Sequence, residues 1–157
     1  MEIWGIILVL LSGIGSAAFL VGGENRRLLC AKTALALIVY VKSSVDNYSM
    51  TASEILTERH EDLVVGLGYP EEKGPPTSFM EMCELCEISD PAVSEILLEF
   101  AQGFGKHYRR EQSEDCQRTL EKLRFRVSVL EKELPGRKKM IFSICLSVAL
   151  VLVILFL

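Results

Sequence analysis

The sequence predicts an all-α protein: a small helical bundle flanked by an N-terminal and a C-terminal transmembrane helix. Two observations lead to this prediction. Residues 3–23 and 140–157 contain no charged residue, and about 20 apolar residues are enough for a helix to cross the hydrocarbon core of a bilayer. Residues 24–139, which lie between them, show the apolar spacing and capping signals of helices and are numerous enough for one small domain.

The charges around the two apolar segments predict the topology. A cleaved signal peptide is the alternative for residues 1–23, but such peptides carry their basic residues before the apolar run. Here basic residues follow the first segment, at 26–32, and precede the second, at 137–139. Basic residues close to span ends stay on the cytoplasmic side. We therefore predict a cytoplasmic domain over residues 24–139, with both termini on the opposite side of the membrane.

The first helix of the domain is expected over residues 26–45. Apolar residues recur there at helical spacing and form a broad stripe, which is typical of an amphipathic helix with one buried face. Gly22-Gly23 is a weak point between this helix and the first span. A third span is the alternative, because residues 33–41 are strongly apolar, but this run is too short to cross a bilayer.

Three further helices are expected in the middle of the domain. Ser49 or Thr51 should cap a helix that runs to about residue 65, and a mobile loop follows at 66–76. Thr77 or Ser78 should begin a short helix ending near residue 88. Asp90-Pro91 places proline at the first helical position, which predicts the start of the next helix.

The longest helix is expected at about residues 106–134. Its apolar residues are spaced 4, 3, 4, 3 and 4 apart, which is a heptad seam over nearly three repeats. An intramolecular helical hairpin is the commoner meaning of so short a seam, and self-association through it is the alternative. Pro135-Gly136 is expected to break or kink the helix before the second span. The seam consists of Cys116, Leu120, Leu123, Val127, Leu130 and Leu134.

The charge of the domain is uneven. Residues 46–99 hold 13 acidic and 2 basic residues, whereas residues 100–139 hold 11 basic and 6 acidic residues. Nucleic acid is an unfavourable partner, because the basic residues are mixed with acidic ones and lie towards the predicted membrane. Either the two halves pair with each other within the domain, or the region where the sign changes is a docking surface for a protein.

The sequence does not predict catalytic, cofactor-binding or metal-binding chemistry. Gly105-Lys106 lacks the earlier glycine and the following hydroxyl residue of a phosphate-binding loop. Cys83 and Cys86 form a single pair, and a zinc site requires a second pair of ligands. In a cytoplasmic domain these thiols should be reduced. His107 near Glu111 is expected to be a surface residue, and we predict a protein that is not an enzyme.

Small residues recur along one side of the first span. Such residues let helices approach closely in lipid, where van der Waals packing drives association. We therefore expect this span to pack against a helix of a membrane partner. The residues are Gly5, Ser12, Gly15, Ser16, Gly22 and Gly23.

The run ILLEFAQGFGKHYRREQ, which begins at Ile96, and the long helix leading into an apolar C-terminal segment resemble the stage III sporulation protein AB family. Four residues match the pattern of that family: Leu97, Phe100, Gly105 and Gln112. Phe104 stands where the family has leucine, and Tyr108 stands where it has an acidic residue.

The resemblance implies a membrane protein of the mother cell in spore-forming bacteria, located in the membrane around the forespore. It implies a part in the secretion-like channel complex between the two cells, and a cytoplasmic domain similar to the platform protein of type II secretion systems. The implied partners are other membrane proteins of the channel and a secretion-type ATPase.

The function expected from both arguments is a non-enzymatic platform of the sporulation channel. A general secretion or pilus platform and a membrane-anchored helical adaptor are the alternatives. The partner surface is expected where the charge changes sign, which is also where the resemblance is densest. Its residues are Phe104, Lys106, Arg109, Arg110 and Gln112.

Overall fold

The computed structural model describes the backbone of residues 2–48, 50–106 and 108–155, and side chains from residue 11 to residue 154 within these ranges. Every regular element of the described residues is helical. The described residues form five α-helices: α1 (Glu2–Asn47), α2 (Ala52–Glu58), α3 (Phe79–Leu85), α4 (Pro91–Gly103) and α5 (Arg109–Leu155). The chain divides into two compact units, residues 27–129 and residues 1–26 with 130–157.

Helix α1 is unbroken from the first predicted span through the predicted 26–45 helix. Gly22-Gly23 therefore does not end the first helix. From Cys30 to Val45 a stripe at helical spacing is buried in the core of the 27–129 unit, which confirms the amphipathic helix predicted there. The buried apolar residues of α1 in this stripe are Cys30, Ala31, Ala34, Leu37, Ile38, Val41 and Val45.

Among the described residues, α1 is the one helix long and apolar enough to cross a membrane, over residues 11–47. This criterion rests on length and composition, and a buried core helix meets it too. A second span over residues 140–157 stays a prediction, and its last two residues lie outside the described ranges. A membrane anchor at the N-terminal end is thus compatible with the structure.

Local signals set the starts of the three middle helices. Thr51 and Glu54 form a reciprocal capping box at the start of α2, so Thr51 is the cap; Ser49 lies outside the described residues. The Ser78 hydroxyl accepts a hydrogen bond from the backbone N–H of Glu81 and caps α3. Asp90 caps α4, and Pro91 occupies its first turn, as predicted.

Two helices end earlier than the sequence predicts. Helix α2 ends at Glu58, because the backbone of Arg59 leaves the helical region and its carbonyl accepts from both Leu63 N and Val64 N. A π-helical turn over His60–Val64 and a 3-10 turn over Val65–Leu67 follow.

Helix α3 ends at Leu85 rather than near residue 88. Cys86 is extended, and the N–H of Glu87 donates to the carbonyl of Gly68 at 3.1 Å. This non-local bond takes the place of a further turn of α3.

The predicted loop at 66–76 contains two short turns, Val65–Leu67 at its start and Glu71–Lys73 in its middle. Gly68 has φ of 93°, and a Cβ there would lie 2.9 Å from the carbonyl oxygen of Glu87. Only glycine fits this close approach of two backbone segments without strain.

Pro135 lies inside α5 and does not end it. Of the break or kink predicted at Pro135-Gly136, the break is therefore wrong, and the kink stays a prediction. Proline removes one backbone donor and crowds the carbonyl four residues earlier, but many helical turns lie on each side of it. The predicted start at residue 106 is three residues early, since α5 begins at Arg109.

The residues of the heptad seam pack within the chain itself. Cys116, Leu120, Leu123 and Val127 are all buried in the 27–129 unit. This burial supports the intramolecular alternative for the seam, and self-association through it stays a prediction.

Candidate functional site

The five residues predicted to bind a partner lie in the turn between α4 and α5 and in the first turn of α5. Phe104 ends α4 in an extended conformation, and Gly105 follows with φ of 80°, a conformation that other residues adopt only with strain. The N–H of Gly105 donates to Oε1 of Gln112 at 3.2 Å. Gln112 is 8% exposed. Through this hydrogen bond, a buried side chain of α5 holds the backbone of the turn. His107 lies outside the described residues.

Phe104 anchors the turn to the core. Its ring lies 4.6 Å from that of Phe79 in a T-shaped arrangement and 5.3 Å from that of Phe100. Phe79 and Phe100 also form a T-shaped pair at 5.3 Å. Such aromatic pairs add about 0.5–1.5 kcal/mol beyond the burial of their surface. Half-buried Phe104 therefore contributes to stability as well as to the surface.

Arg109 serves the fold. Its Nε donates to the carbonyl of Val45 at 2.8 Å, and its Nη2 donates to the carbonyl of Asp46. The last carbonyls of a helix lack partners within that helix, and a cation is favourable at the negative end of the helix dipole. Arg109 thus caps the C-terminal end of α1, which offsets the cost of placing a cation at the N-terminus of α5.

Lys106 and Arg110 differ from Arg109. All three residues are exposed, but where Arg109 bonds to α1, the side chain of Arg110, 92% exposed, lies 3.5 Å from Glu114 on its own helix. Such exposed ion pairs contribute little to stability. These two cations do not hold the domain together and remain presented at the surface of the turn.

A buried aspartate joins α4 to two other helices. Asp90 is 0% exposed. Its Oδ1 caps α4 by accepting from the backbone N–H groups of Ala92 and Val93, at 3.1 and 3.2 Å. Arg27 of α1 donates to Oδ2 at 2.9 and 3.1 Å. Arg126 of α5 donates to Oδ1 at 3.1 Å and to Oδ2 at 2.7 Å.

The charge state of Asp90 follows from these bonds. Burial acts to raise its pKa, but the hydrogen bonds from Arg126, the Val93 N–H and Arg27 outweigh burial and hold the pKa below its ordinary value. The sequence predicted Asp90 as a helix cap but not its pairing with Arg27 and Arg126. These arginines lie 63 and 36 residues away along the chain, and no local sequence pattern indicates contacts over such separations.

The cysteines show no sign of a reactive site. Burial raises the pKa of Cys83 to about 11 and that of Cys86 to about 12, so both are protonated thiols at neutral pH. Within the part of the chain that the structure describes, no group of three or more His, Cys, Asp or Glu side chains could hold a metal ion.

The unit formed by residues 1–26 and 130–157 contains a close helix contact. A Cβ at Gly13 would lie 3.0 Å from Cβ of Ala149, and Ala17 and Ala149 are buried. Gly13 and Ala17 are four residues apart, a spacing that allows close packing of helices in lipid. Sequence reasoning chose other small residues and missed this pair.

The small residues chosen from the sequence lie elsewhere. Ser12, Gly15, Ser16 and Gly23 are exposed, and Gly22 is half-buried; the surroundings of Gly5 are outside the described residues. Their packing against a partner helix stays a prediction.

The C-terminal part of the chain resembles a known protein family. The family model described as stage III sporulation protein AB matches residues 89–157, somewhat less than half of the chain. No curated protein and no solved structure matches the chain significantly. The matched residues begin beside Asp90 and include α4, the turn and α5. Over residues 89–157 the resemblance to the stage III sporulation protein AB family is therefore confirmed.

Proposed function

We propose that the protein is a non-enzymatic platform of the sporulation channel complex, which acts in the mother cell and docks a cytoplasmic secretion-type ATPase at its α4–α5 turn. The family match implies a role at stage III of sporulation and suggests association with a membrane. The location of the docking site goes beyond the family match, and contacts within the turn support it.

The observation that favours this turn is that some of its residues stabilise the fold and others do not. Gln112, Phe104 and Arg109 hold the turn through a hydrogen bond, ring contacts and bonds to the end of α1. Lys106 and Arg110 are exposed on it. Exposed cations suit an acidic protein surface.

The proposed orientation places the 27–129 unit in the cytoplasm, where the ATPase would reach it. The basic residues that follow the first apolar segment and precede the second support this orientation. Other membrane proteins of the channel would contact the apolar segments, on the exposed small residues Ser12 and Ser16 among others.

Co-purification tests the proposal directly. The full chain, solubilised in detergent from sporulating cells under mild conditions, is expected to retain the secretion-type ATPase of the same organism. A chain that carries Lys106→Glu and Arg110→Glu should lose it while inserting in the membrane at normal levels. Equal recovery of the ATPase with both chains would contradict docking at the turn.

A further inference from the structure

A cleft lies beside the turn, between the end of α4 and the first half of α5. Its volume is about 240 Å³. The pockets of small molecules and cofactors usually hold roughly 300–1,000 Å³, so this cleft is of a size for one or two side chains of a protein. It is lined by Glu99, Phe100, Gly103, Phe104, Gln112, Asp115, Arg118, Thr119 and Lys122.

The buried amide of Gln112 is the distinctive group of the cleft. Its Oε1 accepts from Gly105 N–H, and this bond fixes the orientation of the amide. Among the described residues no acceptor is within hydrogen-bond reach of Nε2, although the side chain is 92% buried. A buried donor without an acceptor destabilises a fold. Gln112 lines the cleft, but Nε2 itself has almost no exposed surface, so an incoming acceptor reaches this donor by displacing the side chains that cover it.

The other walls define the rest of the ligand. Phe100 and Phe104 line the cleft with aromatic surface, which favours an apolar group. The Thr119 hydroxyl already donates to the carbonyl of Asp115 at 2.9 Å, so it does not compete with Gln112 as a donor.

The charges at the rim pair with each other. Lys122 of α5 lies 2.6 Å from Glu99 of α4, and Arg118 lies 2.6 Å from Asp115. The rim is therefore neutral as a whole, and a charged ligand would have to break one of these pairs. This distinguishes the cleft from the cationic surface of Lys106 and Arg110.

We propose that this cleft binds a short segment of a protein partner, which places one apolar side chain against Phe100 and Phe104 and a main-chain carbonyl on Nε2 of Gln112. The inference rests on the proposed docking role of the turn for the nature of the partner, and it adds an uncharged anchor to the cationic surface. The cations attract and orient the partner, while the cleft holds it.

A capped amino acid tests the cleft without any ATPase. The probe is N-acetyl-leucinamide, titrated into the ¹⁵N-labelled full chain in detergent micelles. The reporter is the backbone amide resonance of Gly105, which senses Gln112 through their hydrogen bond. A saturable shift is expected, and N-acetyl-glutamic acid amide, which carries a negative charge, should bind at least tenfold more weakly.

Three variants locate the binding. Gly103 lines the cleft and a Cβ there meets nothing within 4 Å, so Gly103→Leu is chosen to fill the cleft. Gln112→Glu keeps the acceptor for Gly105 while removing the donor. Both should weaken probe binding at least tenfold. Gln102→Leu adds the same side chain at an exposed position of α4 and should bind the probe as the wild type does.

Thermal melting of each variant checks that the fold is kept. Should Gln112→Glu melt early, Gly103→Leu still decides the question. A shift that does not saturate, or one that persists in Gly103→Leu, would overturn the proposal, as would equal binding of the charged probe. Loss of ATPase docking with intact probe binding would contradict the proposed partner alone.

Discussion

The carboxylate of Asp90 accepts two hydrogen bonds from the guanidinium of Arg126, at 2.7 and 3.1 Å, and it is fully buried where it does so. Arg27 completes the arrangement from α1. One side chain thus caps α4 and ties it to α1 and α5. Helix α4 leads directly into the turn of the proposed docking surface.

Replacement of Asp90 by asparagine should destabilise the 27–129 unit by about 2–4 kcal/mol, because two half-buried guanidinium groups lose a fully buried counter-charge. Urea titration of the full chain in detergent micelles, followed by circular dichroism, measures the change. Glu114→Gln is the matched control, since it removes an exposed carboxylate that faces Arg110, and it should change stability by less than about 0.5 kcal/mol. Equal effects of both variants would show that Asp90 is not the link between the helices.

The same carboxylate predicts a pH dependence. The pKa of Asp90 is lowered by folding, so its contribution is fully present above the ordinary aspartate pKa of about 3.9. The contribution disappears as pH falls through the lower pKa of the folded chain. The stability difference between the wild type and Asp90→Asn should thus be constant from pH 5 to 8 and shrink below about pH 4. A difference that shrinks between pH 5 and 7 would contradict this assignment.

Two glycines with positive φ should respond differently to alanine. Gly105→Ala should cost about 1–2 kcal/mol, the strain of a left-handed residue, since its Cβ would meet nothing within 4 Å. Gly68→Ala adds a contact of 2.9 Å with the backbone of Glu87 and should cost roughly 1–3 kcal/mol more. Thermal or urea unfolding of the two variants decides this, and equal losses would exclude the close approach at Gly68.

The topology is tested by labelling a single new thiol. Glu72→Cys places a thiol in the exposed turn Glu71–Lys73. A maleimide that cannot cross membranes should leave it unlabelled in intact cells and label it after permeabilisation. The native Cys83 and Cys86 give little background, because their raised pKa keeps them protonated. Labelling in intact cells would place the domain outside and contradict access of the ATPase to it.

The sequence was sufficient where structure depends on neighbours along the chain. Thr51 with Glu54, Ser78 and Asp90-Pro91 mark helix starts because capping groups lie within three residues of the N–H groups they satisfy. The seam from Cys116 to Val127 was predictable because period and burial are linked in a helix.

The sequence was insufficient where contacts between residues far apart along the chain determine the structure. The end of α3 depends on a bond between Glu87 and Gly68, and the role of Arg109 depends on the end of α1. At the proposed docking surface, the sequence did not distinguish the structural roles of the five chosen residues. Only contacts distinguish Arg109, which bonds to the end of α1, from Arg110, which pairs with Glu114 on its own helix.

Docking at the α4–α5 turn is tested most directly by measuring the affinity of the purified secretion-type ATPase for the full chain in lipid nanodiscs. Lys106→Glu with Arg110→Glu should weaken binding at least about tenfold, a change of roughly 1.4 kcal/mol, with an unchanged melting temperature. Lys73→Glu with Arg124→Glu reverses two other exposed cations and should bind as the wild type does. Wild-type affinity in the Lys106 and Arg110 variant, with its fold intact, would contradict docking at the α4–α5 turn.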